Sequence, residues 1–90
     1  MIWRFAIHLR GVEEFTNELV DTLYEAGCDD GTLSASHRRA KIGFDREAPT
    51  LQEAIRSAIG NVRSAGLDVD HVEIEQPDLV AEELAQWQLA

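Results

Sequence analysis

The side chains that could perform chemistry in this chain are few and lie far apart in sequence. The single thiol, Cys28, follows a predicted helix end and precedes Asp29 and Asp30. Both the C-terminal end of a helix dipole and neighbouring carboxylates disfavour a thiolate, so we expect Cys28 to be a poor nucleophile with a structural role. Because there is no second cysteine, an internal disulfide is excluded.

The histidines and carboxylates show no catalytic or metal-binding spacing. His8, His37 and His71 fall on a strand, a turn and a strand start, without a His-x-x-x-His pair or the cysteines of a zinc site. The carboxylates mostly alternate outward from apolar faces, where they stay solvated, whereas a general acid needs burial to raise its pKa. We therefore predict a protein that is not an enzyme and holds no metal or cofactor.

Charge is the most informative feature of the composition. The 90 residues carry 17 acidic and 8 basic side chains, a net charge of −9. Residues 13–30 hold seven acids and no base, residues 68–83 hold seven more, and the rest of the chain is net +5. Such a surface repels phosphates and attracts basic surfaces, so direct DNA binding is not expected. No apolar segment of membrane length or signal peptide is present, and we predict a cytoplasmic protein without membrane contact.

The elements that must position these charges can be predicted from periodicity. Residues 2–10 alternate as a strand with one buried face, and apolar residues from Val12 to Ala26 recur at helical spacing until Gly27. Segments 32–36 and 40–46 alternate around a His37-Arg38-Arg39 tip, which predicts a hairpin. The residues expected on its inner face are Leu33, Ala35, Ile42 and Phe44.

The second half of the chain contains the clearest helix. Thr50 and Glu53 form a capping box, an apolar face follows at helical spacing, and Gly66 provides the left-handed end. Residues 72–75 then alternate as a last strand. Asp78 is expected to cap a short helix after this strand.

The resulting order is β-α-β-β-α-β with a helical tail. It predicts an α+β, ferredoxin-like βαββαβ domain over residues 1–76, with a four-stranded antiparallel sheet in the order 4-1-3-2 and two helices on one face. Residues 77–90 form the C-terminal helical tail. Trp3, Phe5 and Phe44 fall on the buried face, which argues against an RNA-recognition module.

The open face of this sheet is expected to be polar. It places Arg4, His8, Arg10 and Lys41 near Glu73 and Glu75, because the first and last strands would be neighbours. Cross-strand ion pairing is the favoured interpretation of this face, and an anion site is the alternative.

Four carboxylates along the first helix define the acidic ridge: Glu14, Glu18, Asp21 and Glu25. Their common explanation is solubility. The sharper hypothesis is a contact surface, since regularly spaced carboxylates resemble a line of phosphates and suit a positively charged nucleic-acid channel. Glu82 and Glu83 form a second acidic patch.

Two segments of the chain are distinctive, AGCDDGTLS (residues 26–34) and IGFDREAPTLQEAIRSAIGNVRSAG (residues 42–66). They resemble a group of small, mostly uncharacterised bacterial helix-turn-helix DNA-binding proteins, and the likeness covers roughly residues 1–80. Residues 80–87 resemble the first helix of that group's DNA-binding part, but Ala90 comes before any recognition helix. The resemblance implies a fold and not a site. Two alternatives fit this resemblance. The chain is a fragment of a longer regulator, or it is a natural protein that lacks the DNA-recognition helix.

The leading hypothesis is a non-enzymatic acidic module that binds a basic surface of a nucleic-acid-handling protein, in the manner of a phage-encoded anti-CRISPR inhibitor. The alternative is the sensor or dimerisation domain of a helix-turn-helix transcriptional regulator. Under either hypothesis, the exposed edge strand at residues 32–36 could pair with a second copy of the chain to form a homodimer.

Overall fold

The computed structural model describes residues 1–74 of the chain. These residues form β1 (Ile2–Arg10), α1 (Asn17–Glu25), β2 (Gly31–Ser36), β3 (Arg39–Glu47), α2 (Leu51–Ser64) and β4 (Asp68–Ile74). The predicted βαββαβ order is therefore confirmed. The predicted C-terminal helix lies outside the described residues, as do Glu75, Glu82 and Glu83.

The four strands form one antiparallel sheet in the order β2-β3-β1-β4, which is 4-1-3-2 when read from the other edge. β1 lies in the middle, with β3 on one side and β4 on the other. The predicted α+β class is confirmed, and the arrangement is compatible with a ferredoxin-like fold. Within residues 1–74, neither helix is long and apolar enough to cross a membrane.

A single apolar core lies between the sheet and the two helices. Alternation places the odd-numbered residues of β1 and the even-numbered residues of β3 on the inner face, where Phe5 and Phe44 stack with ring centroids 5.5 Å apart. The helices contribute the buried residues Leu23, Leu51, Ala54, Ile55, Ala58 and Val62. Because all of these side chains belong to one cluster, both helices cover the same face of the sheet.

The second helix follows its sequence signals closely. Thr50 is the N-cap of α2, and its hydroxyl accepts a hydrogen bond from the Glu53 amide at 3.1 Å. Gly66 follows the helix with a φ of +85°, the left-handed conformation expected for a C-terminal stop. The helix predicted over this segment is therefore confirmed.

The first helix begins later than its apolar spacing indicates. Thr16 is the N-cap of α1, and its hydroxyl accepts from the Leu19 amide at 3.2 Å. The carbonyl of Val12 accepts from the Ala40 amide of β3 at 3.2 Å, which holds the preceding segment against the sheet. Val12 and Phe15 still pack on the core, but from a non-helical segment. The prediction that Glu14 lies on this helix is therefore wrong.

The hairpin between β2 and β3 has a shorter turn than predicted. Arg39 belongs to β3, and the two turn residues are His37 with φ +53° and Arg38 with φ +62°. Two consecutive positive φ values define a type I′ turn, which normally uses Asn-Gly because larger side chains are strained there. Ala35 pairs with the buried Ala40 and therefore lies on the predicted inner face, but its own side chain is exposed.

The strain in this turn makes a testable prediction. Replacing His37 by Asn and Arg38 by Gly should raise the free energy of unfolding by about 1 kcal/mol, because both new residues tolerate a positive φ. Urea denaturation measures the change. A control that places Ala at both positions removes the same side chains without relieving the strain and should give no gain. Equal stabilisation by both variants would contradict the prediction.

Candidate functional site

The acidic ridge is a solvent-exposed feature of the molecule. Glu18, Asp21 and Glu25 are exposed on α1, on the side away from the buried Leu23. Their spacing of three and four residues places them on one helix face, over about 10 Å of helix length. Glu14 is also exposed, just before the helix. The four carboxylates therefore face solvent from one helix and the segment that leads into it.

The ridge carboxylates make no ion pair within residues 1–74. The ion pairs formed there are Arg4–Asp45, Arg10–Asp70 and Arg46–Asp30, and two histidines contact carboxylates, His8 with Glu73 and His71 with Asp70. Cross-strand pairing is present on the open face, but only His8 contacts a predicted partner, Glu73. Arg4 pairs with Asp45 and Arg10 with Asp70, neither of which is the predicted partner. The sheet cations that do form ion pairs, Arg4, Arg10 and Arg46, are thus paired with carboxylates outside the ridge.

The guanidinium of Arg46 makes five hydrogen bonds to other residues that the structure describes. Its guanidinium donates to both carboxylate oxygens of Asp30, at 2.8 and 2.7 Å, in a bidentate pair. It also donates to Ser57 Oγ at 3.1 Å, to Asn61 Oδ1 at 2.7 Å and to the Gly27 carbonyl at 3.0 Å. One side chain of β3 therefore joins the α1–β2 loop to α2, with only 11% of its surface exposed.

The pKa values around Arg46 follow from this arrangement. The hydrogen bond from Arg46 lowers the pKa of Asp30 below its ordinary value of 3.8, and the same contact raises the pKa of Arg46. Burial raises the pKa of the neighbouring Cys28 thiol, and Asp30 and Asp29 raise it further. The positive charge of Arg46 lowers the pKa of Cys28, but by less than burial raises it. Because Cys28 is completely buried, desolvation raises the pKa of its thiol more than the neighbouring carboxylates do. The sequence alone indicates the carboxylates and the helix dipole instead.

The open face of the sheet brings two histidines together. His8 of β1 and His71 of β4 are cross-strand partners, and their rings stack with centroids 4.1 Å apart. His8 Nε2 lies 3.0 Å from Glu73 Oε1, and His71 Nδ1 lies 2.7 Å from Asp70 Oδ2. These hydrogen bonds are the main cause of the lowered pKa of Glu73 and of Asp70. Each imidazole is thus held by a carboxylate of β4.

Two of these arrangements were missed by reading the sequence. The inner-face alternation of β3 continues from Phe44 to Arg46, which is a signal that Arg46 points toward the helices. The meeting of His8 with His71 depends on strand register. That register shifts between His8 and Leu9, and a shift of this kind has no clear sequence signal.

Neither a metal centre nor a relative explains these clusters. Within residues 1–74, no group of three or more His, Cys, Asp or Glu side chains is arranged to hold a metal ion. Comparison of the chain with protein-family models, curated proteins and solved structures finds no match. The resemblance to helix-turn-helix proteins therefore stays a prediction.

The Arg46 network makes a prediction about stability. Replacing Arg46 by Met should lower the free energy of unfolding by about 2–3 kcal/mol, because Asp30 and Asn61 lose a charged hydrogen-bond donor. The matched control is Arg4→Met, in a pair whose side chains are 62% and 60% exposed, and we expect a loss below about 1 kcal/mol. If urea denaturation shows equal losses of stability for the two variants, the Arg46 contacts stabilise the fold no more than an exposed ion pair does.

The same pair makes a prediction about pH. The pKa of Asp30 is lower in the folded protein than its ordinary value of 3.8, so its contribution is fully present above that value and is lost as pH falls through the folded-state pKa. Asp30→Asn should therefore be less stable than the wild type at pH 7. The difference should shrink in denaturation curves recorded from pH 4 down to pH 2. A difference in stability that stays constant over this pH range would contradict the assignment of the pH dependence to Asp30.

Proposed function

We propose that this protein is a non-enzymatic interaction module whose acidic ridge binds a basic surface of a nucleic-acid-handling protein. The observation that carries the proposal is that Glu14, Glu18, Asp21 and Glu25 are exposed and make no ion pair within the described part of the chain. A carboxylate without a partner remains available to an external cation. The nearby Asp30, in contrast, is already paired with Arg46.

Most of these carboxylates lie at positions that do not favour helix stability, although Glu18 is in the first turn of α1, where the helix dipole favours an acid. Glu18, Asp21 and Glu25 repel one another at spacings of three and four residues. Glu25 also lies at the C-terminal end of α1, where the helix dipole disfavours an acid, and the last turn has no basic residue. Solubility alone needs no such placement, since acids elsewhere on the surface would serve it equally well. This unfavourable arrangement supports a binding role.

The spacing of the ridge indicates which nucleic acid it could replace. Steps of three and four residues put one negative charge on roughly every 5 Å of helix. One strand of DNA carries a charge about every 3.4 Å, and a duplex about every 1.7 Å. The ridge is therefore nearer to a single strand in charge density. We infer a partner with a single-strand channel, which the ridge would occupy as an inhibitor of anti-CRISPR type does.

A second candidate function is the sensor or dimerisation domain of a helix-turn-helix regulator. It is favoured by the sequence resemblance and by the exposed β2 edge, because β2 (Gly31–Ser36) pairs only with β3 within residues 1–74. Unpaired backbone groups on an edge strand can pair with a second copy of the chain. A concentration-dependent dimer that shifts duplex DNA in a gel would favour this candidate. A monomer that leaves DNA unshifted would argue against it.

Charge reversal on the ridge tests the leading proposal. The tagged double variant Asp21→Lys/Glu25→Lys should capture at most a tenth of the partner that the wild type captures from a bacterial lysate. The melting temperature should be unchanged or higher, because a lysine is favourable at the end of α1. Capture is measured at low and high salt, and an electrostatically bound partner should be released as salt rises.

The matched control is Glu47→Lys/Asp68→Lys, which changes the net charge equally at two exposed residues of the sheet. This control should retain the partner. A single-stranded oligonucleotide should displace the partner from the wild type, because both would occupy the same channel. Equal capture by the ridge variant and the wild type would reject the proposal.

A further inference from the structure

The open face of the sheet contains a small pocket whose lining has no carboxylate. Its volume is about 240 Å³, and it is lined by His8, Ser34, Ser36, Arg39, Lys41 and His71. All four strands contribute to this lining. It therefore combines two permanent cations, two imidazoles and two hydroxyl groups, the side chains that hold oxyanions in proteins.

Strand register assembles this lining in one row across the sheet. Ser34 pairs with Lys41, Lys41 pairs with His8, and His8 pairs with His71. Neighbouring strands lie about 4.8 Å apart, so the row extends over roughly 14 Å. Ser36 pairs with Arg39 in the adjacent row. The pocket thus belongs to the strand framework and not to a loop.

The cations of this pocket differ from the others on the open face. Arg4 and Arg10 are paired with Asp45 and Asp70, whereas Lys41 and Arg39 make no ion pair within residues 1–74. Glu73 lies near Lys41, since the charge of Lys41 contributes to lowering the pKa of Glu73, but that carboxylate is hydrogen-bonded to His8. Both cations therefore retain the capacity to bind an added anion.

Each of the two imidazoles keeps a ring nitrogen that an added ligand could use. His8 contacts Glu73 through Nε2, and His71 contacts Asp70 through Nδ1, so each ring keeps one nitrogen that forms no hydrogen bond within the described residues. A ring nitrogen that carries a proton can donate a hydrogen bond to an oxyanion.

We propose that this pocket binds the phosphate group of a small phosphorylated molecule. A tetrahedral dianion matches the Lys41 ammonium, the Arg39 guanidinium and the hydroxyls of Ser34 and Ser36. The volume is below the range of about 300–1,000 Å³ usual for drug-sized ligands, which suits a phosphate with a small substituent. A long nucleic acid is disfavoured, because the chain carries a net charge of −9.

A neighbouring pocket is a weaker candidate for the same ligand. It measures about 390 Å³ and shares His8, Arg39 and His71 with the phosphate pocket. Its lining also includes the carboxylates of Glu13 and Asp70, which would repel a phosphate. The pocket without carboxylates is therefore the one to which we assign the ligand.

NMR titration of the whole chain with inorganic phosphate tests the proposal. In 150 mM chloride, we expect saturable shifts at the amides of Ser34, Lys41, His8 and His71. Lys41→Gln should weaken binding at least about tenfold, as expected for the loss of a charge-assisted hydrogen bond, and Lys41→Arg should restore it. The control Arg63→Gln removes an exposed cation of α2 and should leave the affinity unchanged.

The outcomes separate a phosphate pocket from general attraction of anions. Shifts that rise without saturation, or that Arg63→Gln reduces as much as Lys41→Gln does, would overturn the proposal. A short single-stranded oligonucleotide should bind this face no more tightly than a phosphate monoester does. Tighter binding of the oligonucleotide would also overturn it, in favour of a nucleic-acid surface. The ridge variant Asp21→Lys/Glu25→Lys should bind phosphate at least as well as the wild type, so this test is independent of partner capture.

Discussion

The bidentate pair between Arg46 and Asp30 is the contact on which the arrangement of this small domain depends. Only Leu23 of α1 is fully buried, so the apolar anchor of that helix is limited. Arg46 compensates by joining the loop after α1 to β3 and α2 through hydrogen bonds of 2.7 to 3.1 Å. Its guanidinium also lies 5.0 Å from the centre of the Phe44 ring, which connects the polar network to the core.

This pairing also determines where the negative charge remains. Arg46 neutralises Asp30, the last acid of the run that begins at Glu13, and leaves the acidic ridge before it uncompensated. The other cations that form ion pairs in the described part of the chain, Arg4 and Arg10, lie on the opposite face of the sheet, behind a layer of buried side chains. Electrostatic interactions between exposed charges fade over about 8 Å in physiological salt. The ridge and the phosphate pocket can therefore act as separate sites of one molecule.

The sequence predicts those parts of the fold that depend on local periodicity. The alternation of β1 and the capped helix α2 need no information from distant residues. The start of α1 is different, because the contact between Val12 and Ala40 competes with helix formation over a separation of 28 residues. The turn at His37 and Arg38 lacks the usual glycine, so its geometry could not be identified from residue type.

The two candidate sites also differ in how far they can be predicted from local sequence. The exposure of Glu18, Asp21 and Glu25 follows from their helical spacing, whereas the phosphate pocket needs the register of all four strands. The measurement that tests the ridge most directly is an NMR titration of the protein with a short oligolysine peptide. We expect shifts confined to residues 13–29 at low salt and lost at high salt. Shifts that centre instead on Asp45, Glu47 and Asp68 would show that the ridge is not the preferred site for a cationic partner.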